Sequence, residues 1–312
     1  MHAPGLQYMK RRGVMLTVTL LLLLSFGLWT PDLPRADLES RYLERPTDMR
    51  TLGPWRLHVR DSGPPQAPVL ILLHGFGASL HTWDAWATGL EKTHRVIRLD
   101  LPGSGLSPPD PASDYTDARS LQLLLRVLDE LGVSRATIVG HSMGGRLAWT
   151  FAAQHPERTE RLVLIAPDGF ASEGFEYGKP PQVPASMGVM RYVLPKFALR
   201  KHLQAAYAQT EHLSDALTTR YYDLLLAPGA RQAMLDRLQQ TVLREPEPLL
   251  RQIKAPTLLM WGQADAMIPS RNARDYLQAI EGSRLSLYPG VGHLPHEEAA
   301  EVSLEALVDF LR

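Results

Sequence analysis

A doubly wound α/β fold with a mostly parallel sheet is the architecture this sequence predicts, on three observations. Short runs of β-branched and aliphatic residues alternate with helical patterns through most of the chain. One of them, Ala136 to Val139, runs into a serine with Gly140 and Gly144 two residues to either side, and a helical pattern follows at once. The 312 residues are 45% hydrophobic, enough to bury one substantial core. Right-handed crossovers between successive strands then give the doubly wound arrangement.

At the amino terminus Lys10, Arg11 and Arg12 precede an apolar run from Val14 to Trp29, and Pro31 and a charged stretch follow. This is the pattern of a secretory signal or a signal anchor. A helix over the run spans about 24 Å, short of a hydrocarbon core of about 30 Å, which favours a cleaved signal. Against cleavage, Ser25 and Gly27 form the only small-x-small pair nearby, and Trp29 has the character of an interfacial anchor. Residues 1–30 are therefore read as a signal peptide or, in preference, a signal anchor. An anchor puts the basic end in the cytoplasm and the rest outside the inner membrane; cleavage would leave a secreted or periplasmic protein.

Residues 31–50 read as a linker, and residues 51–166 and 249–312 as the α/β core. The expected strands are Trp55 to Arg60, Val69 to Leu73, Val96 to Asp100, Ala136 to Val139, Leu162 to Ala166, Thr257 to Trp261 and Arg284 to Tyr288. Helical patterns lie between most of them, notably Arg119 to Leu131 and Met143 to Gln154, and a last one closes the chain. Residues 167–248 break the alternation with helical periodicity alone, including Lys196 to Ala208 and Arg231 to Leu243, and read as a helical lid. The aromatics near its start, Phe170, Phe175 and Tyr177, are candidates to face a substrate, although packing onto the core is the commoner fate of such residues.

Composition narrows the function classes. Basic and acidic residues balance at 33 each, and no basic run lies outside the amino terminus, so nucleic-acid binding is unsupported. The absence of cysteine removes disulfides, thiol catalysis and a lipid anchor on cysteine. His58, His81, His94, His155, His202 and His212 show no metal-ligand spacing, and neither a metal nor another cofactor is expected.

The segment ATIVGHSMGGRLA, Ala136 to Ala148, carries the chemistry. A serine between two such glycines, at a strand-to-helix junction, reads as a nucleophile elbow. Side chains at Gly140 and Gly144 would collide in so sharp a turn, and the helix that follows aims unpaired N–H groups at the Ser142 hydroxyl. A serine hydroxyl needs a histidine to take its proton and an acid to orient that histidine. His293, in a glycine-rich turn after the Arg284 run, and Asp265, just after the Thr257 run, both fall on loops at the carboxyl ends of strands. Asp168, at the end of the Leu162 run, is a rival acid. His296 and His141 compete with His293, but His296 reads as a residue at the start of the last helix and His141 diverges from its neighbour Ser142.

The GHSMGG elbow, the HGFG loop from His74 to Gly77 and the order Ser, Asp, His together resemble the α/β-hydrolase superfamily over about residues 55 to 312. The likeness is greatest to its lid-bearing serine esterases, meta-cleavage (carbon–carbon bond) hydrolases and cofactor-free haloperoxidase-like proteins. The resemblance implies Ser142 as nucleophile, Asp265 as orienting acid and His293 as general base, because WGQAD followed by an apolar residue and proline is similar to the family's acid loop. It also implies an oxyanion hole built from the N–H groups of Phe76 and Met143, with His74 a structural residue of its loop. Trp83, Met267, Ile268 and Leu294 are expected near the triad in the family's geometry, giving with Phe170 a mostly apolar pocket.

The implied activity is hydrolysis of carboxylic esters with apolar groups through an acyl-enzyme, on a small-molecule substrate. Carbon–carbon bond hydrolysis and acyl transfer use the same machinery. The first of these requires a cation for the substrate carboxylate, for which Arg146 and Arg191 are the candidates. A membrane-tethered binding protein without turnover is the reading from another class.

Overall fold

The computed structural model describes residues 28–171 and 176–312. The expected signal or anchor therefore lies outside the described residues except for its last three, and so does Phe175. Eight strands form one sheet: β1 (Met49–Leu52), β2 (Trp55–Ser62), β3 (Val69–Leu73), β4 (Arg95–Leu99), β5 (Ala136–His141), β6 (Thr159–Ile165), β7 (Thr257–Gly262) and β8 (Arg284–Tyr288). Their order is β1-β2-β4-β3-β5-β6-β7-β8. The β1–β2 and β2–β4 pairings are antiparallel, and every other pairing is parallel.

The helices are α1 (Arg35–Tyr42), α2 (Asp84–Leu90), α3 (Asp117–Glu130), α4 (Met143–Gln154), α5 (Lys196–Gln204), α6 (Asp215–Leu225), α7 (Ala230–Gln240), α8 (Glu247–Leu250), α9 (Ala273–Ala279), α10 (Pro295–Glu298) and α11 (Ala300–Leu311). Central strands such as β3, VLILL, are aliphatic throughout because both sheet faces are covered. Alternation along β3 sends Ile71 and Leu73 into the core shared with α3, α4 and α9, and Leu70 and Leu72 into the core shared with α2 and α11.

The expected linker at 31–50 is folded instead. It contains α1 and runs into β1, which meets β2 through a two-residue turn in which Gly53 has φ +60°. Leu38 of α1 is buried against Leu106, Leu224, Ala227 and Ala230, while Arg41 and Tyr42 both donate to the Asp223 carboxylate at 2.9 Å. Upstream, Leu33 N–H donates to the Leu226 carbonyl at 2.8 Å, and Asp32 pairs with Arg231 at 2.7 Å. One buried leucine in an otherwise polar helix is too weak a periodic signal to read from sequence. The segment straps the helical insert of α5 to α7 onto the sheet domain.

That insert faces the loops that follow β3, β5, β7 and β8, and with them it encloses a cavity of about 360 Å³. The Leu38→Ala substitution, which removes the strap's buried anchor, is expected to lower unfolding free energy by about 2–5 kcal/mol in urea. A loss below about 1 kcal/mol would show that the strap is not part of the cooperative unit.

Candidate active site

Ser142 sits between β5 and α4 with φ 53° and ψ −118°, a backbone conformation that costs about 1–3 kcal/mol and persists only where the surroundings enforce it. Three hydrogen bonds do so. Ser142 N–H donates to the Ile165 carbonyl at 2.9 Å, and its own carbonyl accepts from the N–H groups of Arg146 and Asp168, each at 3.0 Å. The flanking glycines are required by close backbone approach. A Cβ on Gly140 would lie 2.2 Å from the Gly144 carbonyl oxygen, and one on Gly144 would lie 2.3 Å from that of Leu73.

His293 follows β8 and Asp265 follows β7, and the His293 Nδ1–H donates to Asp265 Oδ2 at 2.8 Å in a buried pair. The other carboxylate oxygen accepts the N–H groups of Met267 and Ile268 at 2.8 and 2.9 Å, so the turn after Asp265 fixes the acid. With its Nδ1 committed to donation, His293 keeps the Nε2 lone pair free to accept a proton. Ser142 and His293 both lie on the wall of the 360 Å³ cavity. The rival acid is spent elsewhere: Asp168 forms an ion pair with Arg146 at 3.3 Å, and Arg146 is also held by Asp117 at 3.1 Å.

Among the described residues the N–H groups of Phe76 and Met143 donate no hydrogen bond to another protein group. The two residues share the lining of a side chamber of about 20 Å³, room for one water-sized group. His74 is buried, with Nδ1–H donating to the Gly75 carbonyl at 2.8 Å and Nε2 accepting from Leu101 N–H at 3.0 Å, a purely structural arrangement.

Met267 and Leu294 lie on the cavity wall. The other three residues expected there do not. Trp83 is fully buried and stacks on the His296 ring at 4.4 Å, Phe170 meets Tyr276 edge-on at 4.9 Å, and Ile268 packs against the core while its carbonyl accepts from Trp261 Nε1. Sequence proximity to a site loop does not set side-chain direction, and each of these points into a core cluster. Tyr177 is absent from the wall as well. The wall is completed by side chains of the insert, among them Met187, Leu194, Leu203, Met234 and Tyr221. Periodicity marked the insert as helical but not which helix face turns inward.

Two further imidazoles lie behind His293. His141 is 4.6 Å from the His293 ring and donates from Nε2 to the His293 carbonyl at 2.9 Å, while His296 is 4.7 Å from His141 and bonds Thr82. Burial, reinforced by the neighbouring His293, pushes His141 well below the ordinary histidine range and His296 down to about 3. Both stay neutral around the candidate base. In the groove beside α1, burial likewise lowers His81 to about 4.

The sequence model of a family described as alpha/beta hydrolase fold matches residues 68–300. A 2-hydroxy-6-oxo-6-phenylhexa-2,4-dienoate hydrolase of Comamonas testosteroni is 29% identical over 274 residues, 84% of this chain and 93% of that protein. A bacterial membrane phospholipase A of known structure is 27% identical, covers 96% of this chain and 98% of its own, and superimposes with a TM-score of 0.74. A meta-cleavage product hydrolase at 22% identity shares the fold, with a TM-score of 0.72 over 85% of this chain and 98% of its own.

The hydrogen-bonding of the two acids sets the first expectation: Asp265→Ala should abolish most turnover, whereas Asp168→Ala should retain it, both measured as kcat/KM. Inactivity of Asp168→Ala alone would reverse the assignment. The second concerns pH. His81 and His296 bind protons in the unfolded chain near pH 6.5 but in the folded protein only near 4 and 3, so the unfolded state takes up more protons between those limits. Stability should therefore fall as pH drops from about 6.5 towards 4, read as the urea midpoint, and fall less steeply in His296→Gln. Equal slopes in the two proteins would refute the role of His296.

Proposed function

Given that the chain belongs to the α/β-hydrolase superfamily, we propose that it is a serine hydrolase of carboxylic esters that carry an apolar acyl or alcohol group. Ser142 Oγ attacks the ester carbonyl as His293 Nε2 takes its proton, and Asp265 holds the imidazole and offsets its charge. The oxyanion lies between the N–H groups of Phe76 and Met143, at the start of α4. The alcohol leaves with the proton from His293. A water then attacks the acyl-enzyme, passes its proton to the same imidazole, and the acid departs as Ser142 is regenerated.

The observation that carries the ester reading is the character of the cavity wall. Among the described residues its side chains, apart from Ser142, the imidazoles and the Tyr221 hydroxyl, are apolar and include neither arginine nor lysine; Arg220 and Arg237 line the side chamber beside Phe76 and Met143 instead. A dienoate substrate brings a carboxylate whose burial needs a cation. Arg146 is tied to Asp117 and Asp168, and Arg191 bonds the Gly188 carbonyl and Gln232, so neither candidate cation is available. Carbon–carbon bond hydrolysis is the second reading, favoured by the named activity of the Comamonas relative.

The insert of α5 to α7 acts as a lid that excludes water from the acyl-enzyme. The amino-terminal basic and apolar run tethers the catalytic body to the inner membrane from outside the cytoplasm, a reading supported by the likeness to a membrane phospholipase A across 96% of the chain.

A fluorophosphonate probe should label the wild type and not Ser142→Ala, whose turnover should drop by roughly 10⁶. In a panel of p-nitrophenyl esters with a meta-cleavage dienoate alongside, esters of medium or long acyl chain should give the highest kcat/KM. A dienoate turned over faster than every ester would replace the ester reading with the second one. An unlabelled wild type would favour a binding protein.

A further inference from the structure

Two adjacent carboxylates on α10, directly after the candidate base, are joined to the insert. Glu297 accepts from the Tyr207 hydroxyl at 2.6 Å, the Tyr221 hydroxyl at 3.0 Å and the Thr82 hydroxyl. Among the described residues Glu298 accepts only backbone N–H groups: Gly292 at 2.9 Å, within the histidine loop, and Ala208 and Gln209 of the insert at 3.2 and 2.9 Å. A direct bond closes the ring, with His293 N–H donating to the Ala206 carbonyl at 2.7 Å. The approach is so close that a Cβ on Gly292 would lie 2.6 Å from both Ala206 O and Ala208 N.

Glu298 is 7% exposed and has no cationic partner among the described residues. Burying a carboxylate is costly unless hydrogen bonds replace its hydration, and an apolar side chain would fill the same space without that cost. Its three N–H donors come from two separate elements, the insert and the loop of the base. We infer that Glu298 is a positioning residue that registers the 206–209 corner of the insert against the His293 loop, so that the imidazole is set in place only while that corner is docked. The inference rests on the reading of His293 as the base. An opening of the insert that preserves the site then has to hinge away from this corner.

The two glutamates differ in what an amide would do to them. Hydroxyl groups can reverse and accept from an amide NH₂, so Glu297→Gln can keep its partners. Backbone N–H groups cannot reverse, and Glu298→Gln sets an NH₂ against at least one of them. The test compares the wild type, E298Q and E297Q in the full-length protein by fluorophosphonate labelling rate, kcat and KM on a p-nitrophenyl ester, amide hydrogen exchange and thermal melting. E298Q should label roughly 10²-fold more slowly and lose kcat rather than raise KM, as a displacement of a catalytic group by about 1 Å would do. Exchange at Gly292, Ala208 and Gln209 should speed up together, and E297Q should lose less than E298Q. A role in stability alone predicts a lower melting temperature with wild-type labelling per folded molecule, and that result would overturn the inference. Should E298Q fail to fold, Glu298→Asp keeps the charge but draws the carboxylate back from these N–H groups; slower labelling at unchanged melting supports the inference, and an unchanged rate overturns it. Absence of labelling in the wild type would overturn the proposed function itself, whereas equal labelling of wild type and E298Q overturns only the positioning role.

Discussion

The left-handed backbone of Ser142 depends on a contact that only hydrogen atoms can make, where Gly140 faces the Gly144 carbonyl and Gly144 faces that of Leu73. Because those surfaces touch, α4 begins immediately above the ends of β3 and β5, with its unpaired N–H groups beside the serine. The neighbouring strand supplies the restraint, through Ile165 and the segment that leads to Asp168. The strain is thus held by the sheet itself, the most deeply buried part of the molecule. The acid and the base both lie on loops, which hydrogen bonds place relative to that fixed point.

Those bonds explain why two aspartates that look alike in sequence diverge. Asp265 lies in a turn whose next N–H groups point back at its carboxylate, which leaves one oxygen for His293. Asp168 comes off β6 next to Arg146, which takes up its charge. The imidazoles differ in the same way. Burial keeps His141 and His296 uncharged, so they add no positive charge beside His293, the one of these three imidazoles that has a carboxylate partner.

How much of this was legible in the sequence depended on whether local pattern or tertiary contact was responsible. Aliphatic strands covered on both faces, such as β3 and β5, announce themselves, and the elbow glycines and the order of Ser142, Asp265 and His293 are local or collinear signals. The strap was not legible, because α1 presents one buried leucine and β1 is four residues containing Arg50 and Thr51. Trp83, Phe170 and Ile268 were misplaced for a different reason. Adjacency to a site loop fixes where a Cα lies, but the direction of the side chain follows from the core it joins, here the cluster with Trp86 for Trp83 and that with Tyr276 for Phe170. The inward face of the insert required its docked position, which no periodicity encodes.

Glu298 was hidden by the same limit in a sharper form. Read along the chain, HLPHEEAAEV places two acids in the first turn of a helix, where they interact favourably with its dipole, and nothing more is needed to account for them. Only the fold brings Ala208 and Gln209 to that carboxylate, across a chain separation of about ninety residues. A dipole role would leave an acid at the surface, where most of its hydration survives. Burial against donors from two separate elements is a stronger commitment, since each N–H lost there leaves a charge without solvent or partner. The energetic logic therefore runs from the insert to the base: the contact that covers the cavity is the contact that orders the loop of His293, and closure and assembly of the site become one event rather than two.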